Sequence, residues 1–272
     1  MAPTRHMTET AIVILAAGKG TRMKSRRPKV LHAVAGRPML HHVLATARSL
    51  APKRLVLVLG PDMESVSQTL PDGAPQAEIA IQQERLGSGH AVLMAKQALD
   101  GFSGDVLVLY GDVPLTRVET LEAMVAELDE RTLALLTVTL DDPGGYGRIV
   151  RNGADQVTSI VEQKDATESQ RAIREVNTGI LAVSAKHLKN WLPTLSNANA
   201  QGEYYLTDII AMAVDHGLSI SVAQPGDAYE VQGVNNRLQL AELERWYQRR
   251  EADRLMTEGA TLADPARIDV RG

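Results

Sequence analysis

Short apolar runs recur along the first half of this chain, separated by stretches with helical spacing. Ala11–Leu15, Arg54–Leu59, Glu78–Ile81, Val106–Tyr110 and Leu133–Thr139 read as strands. Between them, Pro38 to Ser49 reads as a helix with proline near its first turn, where a missing N–H costs nothing. Gly89–Leu99 is helical in pattern, with Ala91, Met94, Ala95 and Ala98 on one face, and Arg117–Arg131 predicts another helix. Continuous apolar strands alternating with helices predict an α/β fold: an open, mostly parallel sheet covered on both faces.

After Leu140 the texture changes. Asp142-Pro143-Gly144-Gly145 is a turn cluster, followed by short strands at Arg148–Arg151, Val157–Glu162 and Val176–Val183. This stretch reads as a smaller inserted lobe for substrate. Helices resume at Ala185–Leu192 and Leu206–His216. A long helix from about Asn236 to Glu258 would span roughly 35 Å at the usual rise per residue. Its Glu and Arg content predicts a solvated strut, and Thr261 to Gly272 shows no partner for itself. There is no internal repeat.

Composition narrows the picture in three ways. Aromatic residues are only 3% of the 272, with Phe102 the single Phe, so the core must be aliphatic. The net charge of −4 offers no bulk attraction for nucleic acid or a membrane surface, so any polyanion site must be local. No cysteine is present, which excludes disulfides and thiolate metal sites. No apolar run approaches a membrane span and no signal-peptide pattern precedes the first strand, so a cytoplasmic location is expected. Met1 to His6 read as dispensable, with Met7 as the native start.

The strongest chemical signal is Leu15-Ala16-Ala17-Gly18-Lys19-Gly20-Thr21-Arg22-Met23, followed by Arg27-Pro28-Lys29. It begins where the first strand ends, the edge at which open α/β sheets bind ligands. Small residues let backbone N–H groups approach phosphate, and Lys19, Arg22 and Lys29 supply positive charge. A Walker A loop is excluded, because Lys-Ser/Thr does not follow the second glycine. A dinucleotide fingerprint is disfavoured, because Met23 stands where the third glycine belongs. The histidines form no pair with ligand spacing, which disfavours zinc. Gly87-Ser88-Gly89 lacks the spacing of a serine-hydrolase elbow.

Tyr110-Gly111-Asp112 ends a predicted parallel strand, putting Asp112 at the same edge. A carboxylate beside a triphosphate needs a cation between them, and Mg²⁺, which takes one or two protein oxygens and fills the rest with phosphate and water, suits it. Asp112 as a cap of the following helix is the alternative. Gln82 precedes Gly87-Ser88 in what reads as a polar loop ahead of a helix, and its amide side chain can both donate and accept. Ser88 as a helix N-cap is the plainer reading. Glu162 on its own reads as an exposed strand-end acid. Asn177-Thr178-Gly179 on its own reads as a turn or strand bulge.

The first loop resembles the signature of sugar-1-phosphate nucleotidyltransferases. Gln82–His90, Tyr110–Leu115, Gly145–Ile149, Ile160–Asp165, Val176–Ile180, Gly202–Asp208 and Gly233–Arg237 resemble, in order, those of the bacterial bifunctional N-acetylglucosamine-1-phosphate uridylyltransferase / glucosamine-1-phosphate acetyltransferase family. The resemblance covers about residues 8 to 272, and Ser88 stands where that family often has Thr.

It implies a Rossmann-like sheet of the nucleotide-diphospho-sugar transferase type. Residues 7–237 would form the uridylyltransferase domain, 238–258 a helical linker, and 259–272 the start of a truncated left-handed β-helix. It implies that Arg22 and Lys29 are catalytic. Leu15, Ala16, Ala17, Gly18, Lys29, Gln82, Gly87, Ser88, Tyr110, Gly111 and Asp112 would bind nucleotide. Gly147, Glu162, Asn177 and Asn235 would bind sugar, and Asp112 with Asn235 would hold Mg²⁺. The implied partners are UTP, N-acetylglucosamine 1-phosphate, UDP-N-acetylglucosamine, a cell-wall precursor, and pyrophosphate. A homotrimer is implied for the full-length protein, and a mainly monomeric fragment without acetyl transfer here. Thymidylyl transfer to glucose 1-phosphate, and a non-catalytic nucleotide-sugar sensor, are the rival readings.

Overall fold

The computed structural model describes residues 9–73 and 75–271, so Met7 as a native start, and Gly272, lie outside the described residues. In chain order the strands and helices are β1 (Thr10–Leu15), β2 (Ala33–Val34), β3 (Arg37–Pro38), α1 (Met39–Ser49), β4 (Arg54–Leu59), α2 (Glu64–Ser67), β5 (Glu78–Ile81), α3 (Ser88–Met94) and β6 (Asp105–Tyr110). There follow α4 (Val118–Ala126), β7 (Thr132–Thr139), β8 (Arg148–Arg151), β9 (Val157–Val161), α5 (Glu168–Arg171), β10 (Glu175–Ser184), α6 (Ala185–Trp191), α7 (Asp208–Asp215), β11 (Ser219–Ala223) and α8 (Arg237–Thr257).

The main sheet has the order β11-β7-β10-β6-β1-β4-β5. Strand β1 is flanked by β4 on one side and β6 on the other, all parallel. The chain therefore builds outward from β1 to β5, then crosses back to β6. The carboxyl ends of these strands open onto one edge, and the reversal beside β1 leaves a crevice there, the usual ligand position in open α/β sheets. β1, β4 and β6 are almost wholly buried, which explains their unbroken aliphatic runs.

The sheet is not parallel throughout. Strand β10 lies between β6 and β7 and is antiparallel to both. The reading of Val176–Val183 as a strand of the lobe is thus corrected: most of it is a central strand of the main sheet. The lobe is the β8–β9 hairpin, joined to β10 where Val176 faces Arg148. Between Asn177 and Leu181 the β10 register shifts, and Gly179 has φ +89°. A Cβ at Gly179 would stand 2.5 Å from the Tyr110 ring, so both the backbone and the approach of Tyr110 require glycine.

Helix α8 is more than a solvated strut. Leu243, Gln248 and Ala252 are buried, and Leu243 joins Met23, Val34, Met39, Leu115 and Val234 in a second, smaller core. This core ties the first loop, the β2–β3 hairpin and α8 together. The segment after α8 has a partner too. The Gln248 side chain donates to Val270 O (2.9 Å) and accepts from Val270 N–H (2.7 Å). No helix among the described residues is long and apolar enough to cross a membrane.

Candidate active site

The carboxyl ends of β1 and β6, the segment after β5 and the start of α3 enclose a cleft of about 310 Å³. Ten residues expected at the nucleotide line it: Leu15, Ala16, Ala17, Gly18, Lys29, Gln82, Gly87, Ser88, Tyr110 and Asp112. Gly111 sits just behind, its N–H donating to Leu15 O (2.9 Å) and so continuing the β1–β6 ladder.

Lys29 is the hub of the charged groups. Its side chain, 12% exposed, pairs with Asp112, which is 16% exposed. Its Nζ also donates to Asn235 Oδ1 at 3.3 Å, and that same oxygen accepts from Arg22 Nη2 at 3.0 Å. Lys29 can sit this close because Gly20 has no side chain: a Cβ there would stand 2.5 Å from Lys29 Cβ. Asn235 is delivered by the run into α8, where Val234 N–H donates to Asp112 O (2.9 Å) and Asn235 N–H to Gln239 Oε1 (2.8 Å). Four residues spread over more than two hundred positions thus meet at one point. Asp112 is not the cap of α4, whose N-cap is Arg117.

Gln82 is buried, and both of its amide hydrogens point to protein acceptors: Gly87 O at 3.0 Å and His90 Nδ1 at 3.1 Å. Its Oε1 has no partner among the described residues and is left to accept. Ser88 is not an N-cap either. Gly87 occupies that position, and Ser88 Oγ accepts from Leu206 N–H at 3.0 Å. The Gly87–Gly89 segment is held further by Tyr204, whose N–H donates to Leu86 O (2.7 Å) and whose carbonyl accepts from Gly89 N–H (2.8 Å). Burial and the neighbouring Glu162 raise the Tyr110 phenol above its ordinary value.

Gly147, Glu162 and Asn177 are gathered at the root of the lobe. Asn177 N–H donates to Gly147 O at 2.9 Å, and a Cβ on Gly147 would lie 3.3 Å from Glu162 Oε1. Glu162 is half-buried and accepts from Thr207 Oγ1 at 3.1 Å, so it is not an exposed strand-end acid. Burial raises its carboxyl above the ordinary value, with Asp208, Asp165 and Glu203 adding to the rise and Thr207 opposing it. The bulge reading of Asn177-Thr178-Gly179 describes the backbone correctly: Asn177 Oδ1 accepts from Gly179 N–H at 2.9 Å. Its amide NH₂ is left without a partner among the described residues. The hydrogen bonds of the Asn235 side chain go to Lys29 and Arg22.

Arg85, Glu203 and Thr207 stand at the site outside the expected set. Arg85 and Glu203 line the cleft, and Thr207 holds Glu162. All three fall inside the runs Gln82–His90 and Gly202–Asp208, but nothing in their local spacing says which way they point.

A sheet with its switch point beside β1, a small-residue loop at that point and a lysine–carboxylate–amide cluster across the cleft together define a nucleotidyltransferase domain. The MobA-like NTP transferase domain family matches residues 12–201, and the chain belongs to that family. Among curated proteins it is similar to the bifunctional protein GlmU of Marinobacter nauticus, at 66% identity over 266 residues, 98% of this chain and 58% of that protein. The bifunctional protein GlmU of Chromohalobacter salexigens is 59% identical over 262 residues, 96% of this chain and 57% of that protein. That of Stutzerimonas stutzeri has the same identity and coverage. The chain therefore spans under three fifths of the length of these relatives.

Proposed function

We propose that this domain transfers UMP from UTP to N-acetylglucosamine 1-phosphate, giving UDP-N-acetylglucosamine and pyrophosphate. The observation that carries the reading is the convergence of Lys29, Asp112, Asn235 and Arg22 beside a cleft lined by the first loop and by Gln82–Ser88. UTP lies over Leu15–Gly18, with its base toward Gln82, Gly87 and Ser88. The free Gln82 Oε1 accepts from the N3–H of uracil; cytosine has no hydrogen at that position and is refused.

An oxygen of the sugar phosphate attacks the α-phosphorus in line. A new P–O bond forms as the bond from the α-phosphorus to the β-bridging oxygen breaks, and the electron pair leaves with pyrophosphate. The nucleophile is already an anion, so no general base is needed. The obstacle is the approach of two anions, and Lys29 and Arg22 reduce that repulsion. Lys29 turns from Asp112 to phosphate in the ternary complex, and Arg22 grips the leaving pyrophosphate. Glu162 accepts from sugar hydroxyls, the Asn177 amide donates to a ring substituent, and Gly147 offers backbone without bulk.

The oxygens of Asp112 and Asn235 meet at a point that already carries a positive charge, the Lys29 ammonium. Hard oxygen donors of this kind fit Mg²⁺, which draws its remaining ligands from phosphate and water. Held by Asp112 and Asn235, Mg²⁺ would neutralise charge on the triphosphate.

Uridylyl transfer is the activity assigned to this domain. For the full-length protein the resemblance implies acetyl transfer and a homotrimer, with α8 as the linker and 259–272 leading into the β-helix. The test is incubation with Mg²⁺, each of UTP, dTTP and CTP, and a panel of sugar 1-phosphates, with pyrophosphate as the readout. UTP with N-acetylglucosamine 1-phosphate should turn over fastest. A preference for dTTP with glucose 1-phosphate would replace the reading with thymidylyl transfer, and nucleotide binding without pyrophosphate would replace it with a sensor.

A further inference from the structure

Arg85 lines the nucleotide cleft but has no part in the chemistry above. Its Nε donates to the carbonyl of Ala17 at 2.6 Å, and its Nη2 pairs with Asp62 on the turn after β4. The guanidinium packs against Gly60: a Cβ there would stand 2.2 Å from Nη2. One side chain thus joins three segments at the carboxyl edge of the sheet, the first loop, the 60–62 turn and the segment after β5. The other side of that last segment is already fastened to Tyr204 and Leu206.

The Ala17 carbonyl and the Gly18 N–H belong to the same peptide unit. In a trans peptide they point in opposite directions. Whatever fixes the carbonyl therefore fixes the N–H. Gly18 N–H has no acceptor among the described residues, and Gly18 has open space where a side chain would be. An unspent backbone N–H beside small residues in a cleft is a donor for an anion. Without a hold on the carbonyl, a flanking glycine would let this peptide turn freely.

We infer that Arg85 is a positioning residue for nucleotide: by gripping the Ala17 carbonyl it keeps the Gly18 N–H aimed to donate to a phosphate of the bound nucleoside triphosphate. This rests on the reading of the cleft as the nucleotide site. Asp62 and Gly60 set Arg85 in turn, Asp62 by charge and Gly60 by leaving room. The contribution goes to binding of the phosphate chain, not to the base, the sugar phosphate or the reaction step.

The experiment is titration calorimetry of the whole chain with UTP in the presence of Mg²⁺, together with steady-state kinetics and the amide NMR shift of Gly18. In the wild type, UTP should bind and move the Gly18 amide resonance. Arg85→Gln should weaken UTP about tenfold, the scale of a lost hydrogen bond from a charged donor. It should raise KM for UTP alike, leave KM for the sugar phosphate unchanged and alter kcat by less than about twofold. It should also abolish most of the Gly18 shift. Asp62→Asn should cost only about two- to threefold, because Asp62 is largely exposed. Gly60→Ala, which keeps Arg85 but fills the space beneath it, should reproduce the Arg85→Gln pattern. Unchanged UTP affinity in both Arg85→Gln and Gly60→Ala overturns the inference. So does a fall in kcat and melting temperature with every KM unchanged, the pattern of a merely structural residue. A wild-type chain that binds no UTP overturns the reading of the cleft, and this inference with it.

Discussion

Replacing Asp112 by Asn separates its part in the fold from its part in the chemistry. The Asp112 and Lys29 side chains are 16% and 12% exposed and pair with each other. Asp112→Asn removes the charge but keeps an oxygen, so Lys29 is left with two neutral acceptors, the new amide and Asn235 Oδ1 at 3.3 Å. Breaking a fully buried pair costs about 3–5 kcal/mol. Here some water reaches both groups and an acceptor remains, so about 1–2 kcal/mol is expected. For a domain of this size that lowers the melting temperature by about 2–8 °C. Loss of an electrostatic stabiliser of the transition state should lower turnover by about 10²–10³. The double variant Asp112→Asn/Lys29→Met removes both charges. It should recover most of the melting temperature, because no charge is stranded, while turnover falls further. Pyrophosphate release and thermal denaturation on the same samples read the two effects. Asp112→Asn with more than about a tenth of wild-type turnover at ordinary Mg²⁺ would refute the role given to this carboxylate.

Asn177→Ala should raise KM for the sugar phosphate by about two- to tenfold while KM for UTP holds, because one neutral hydrogen bond is lost on the sugar side; equal changes in both would remove Asn177 from that site. Gln82→Ala should narrow the preference of UTP over CTP by about tenfold, and competition kinetics with an unchanged ratio would contradict the base reading. Glu162→Gln tests the raised carboxyl. A raised folded pKa means that the folded chain holds the proton more readily than the unfolded chain. That stabilisation is complete at acid pH and is lost as pH rises through the raised value. The variant, a permanent mimic of the protonated form, should therefore melt above the wild type at pH 7.5, and the gap should close on acidification. A gap that widens on acidification has the wrong sign for this account.

Much of the parallel half of the sheet was legible in the residues. Arg54–Leu59 and Glu78–Ile81 in that half, and Arg148–Arg151 in the lobe, are strands at the expected bounds. The place of β10 was not legible. A strand pairs with neighbours chosen across the chain, and nothing in Glu175–Ser184 says that it enters between β6 and β7. Strand β11 went unread although Ser219-Ile220-Ser221-Val222-Ala223 alternates with period two, the signal of a half-buried strand. Helix α8 looked solvated because its charged residues are many, yet Leu243 and Ala252 suffice to bury one stripe of it. At the site, the residues with chemistry in their motif converge: Lys29, Asp112 and Asn235 meet although far apart in sequence. Arg85 stayed silent because its role lies in a carbonyl it holds, and a sequence does not display which carbonyl an arginine will reach.

The most direct test of the central claim follows the α-phosphorus. Incubation of this chain with UTP labelled at the α-phosphate, Mg²⁺ and N-acetylglucosamine 1-phosphate should move the label into UDP-N-acetylglucosamine, one for each pyrophosphate released. Label that remains in UTP, or that appears as UMP with no sugar attached, would contradict uridylyl transfer at this site.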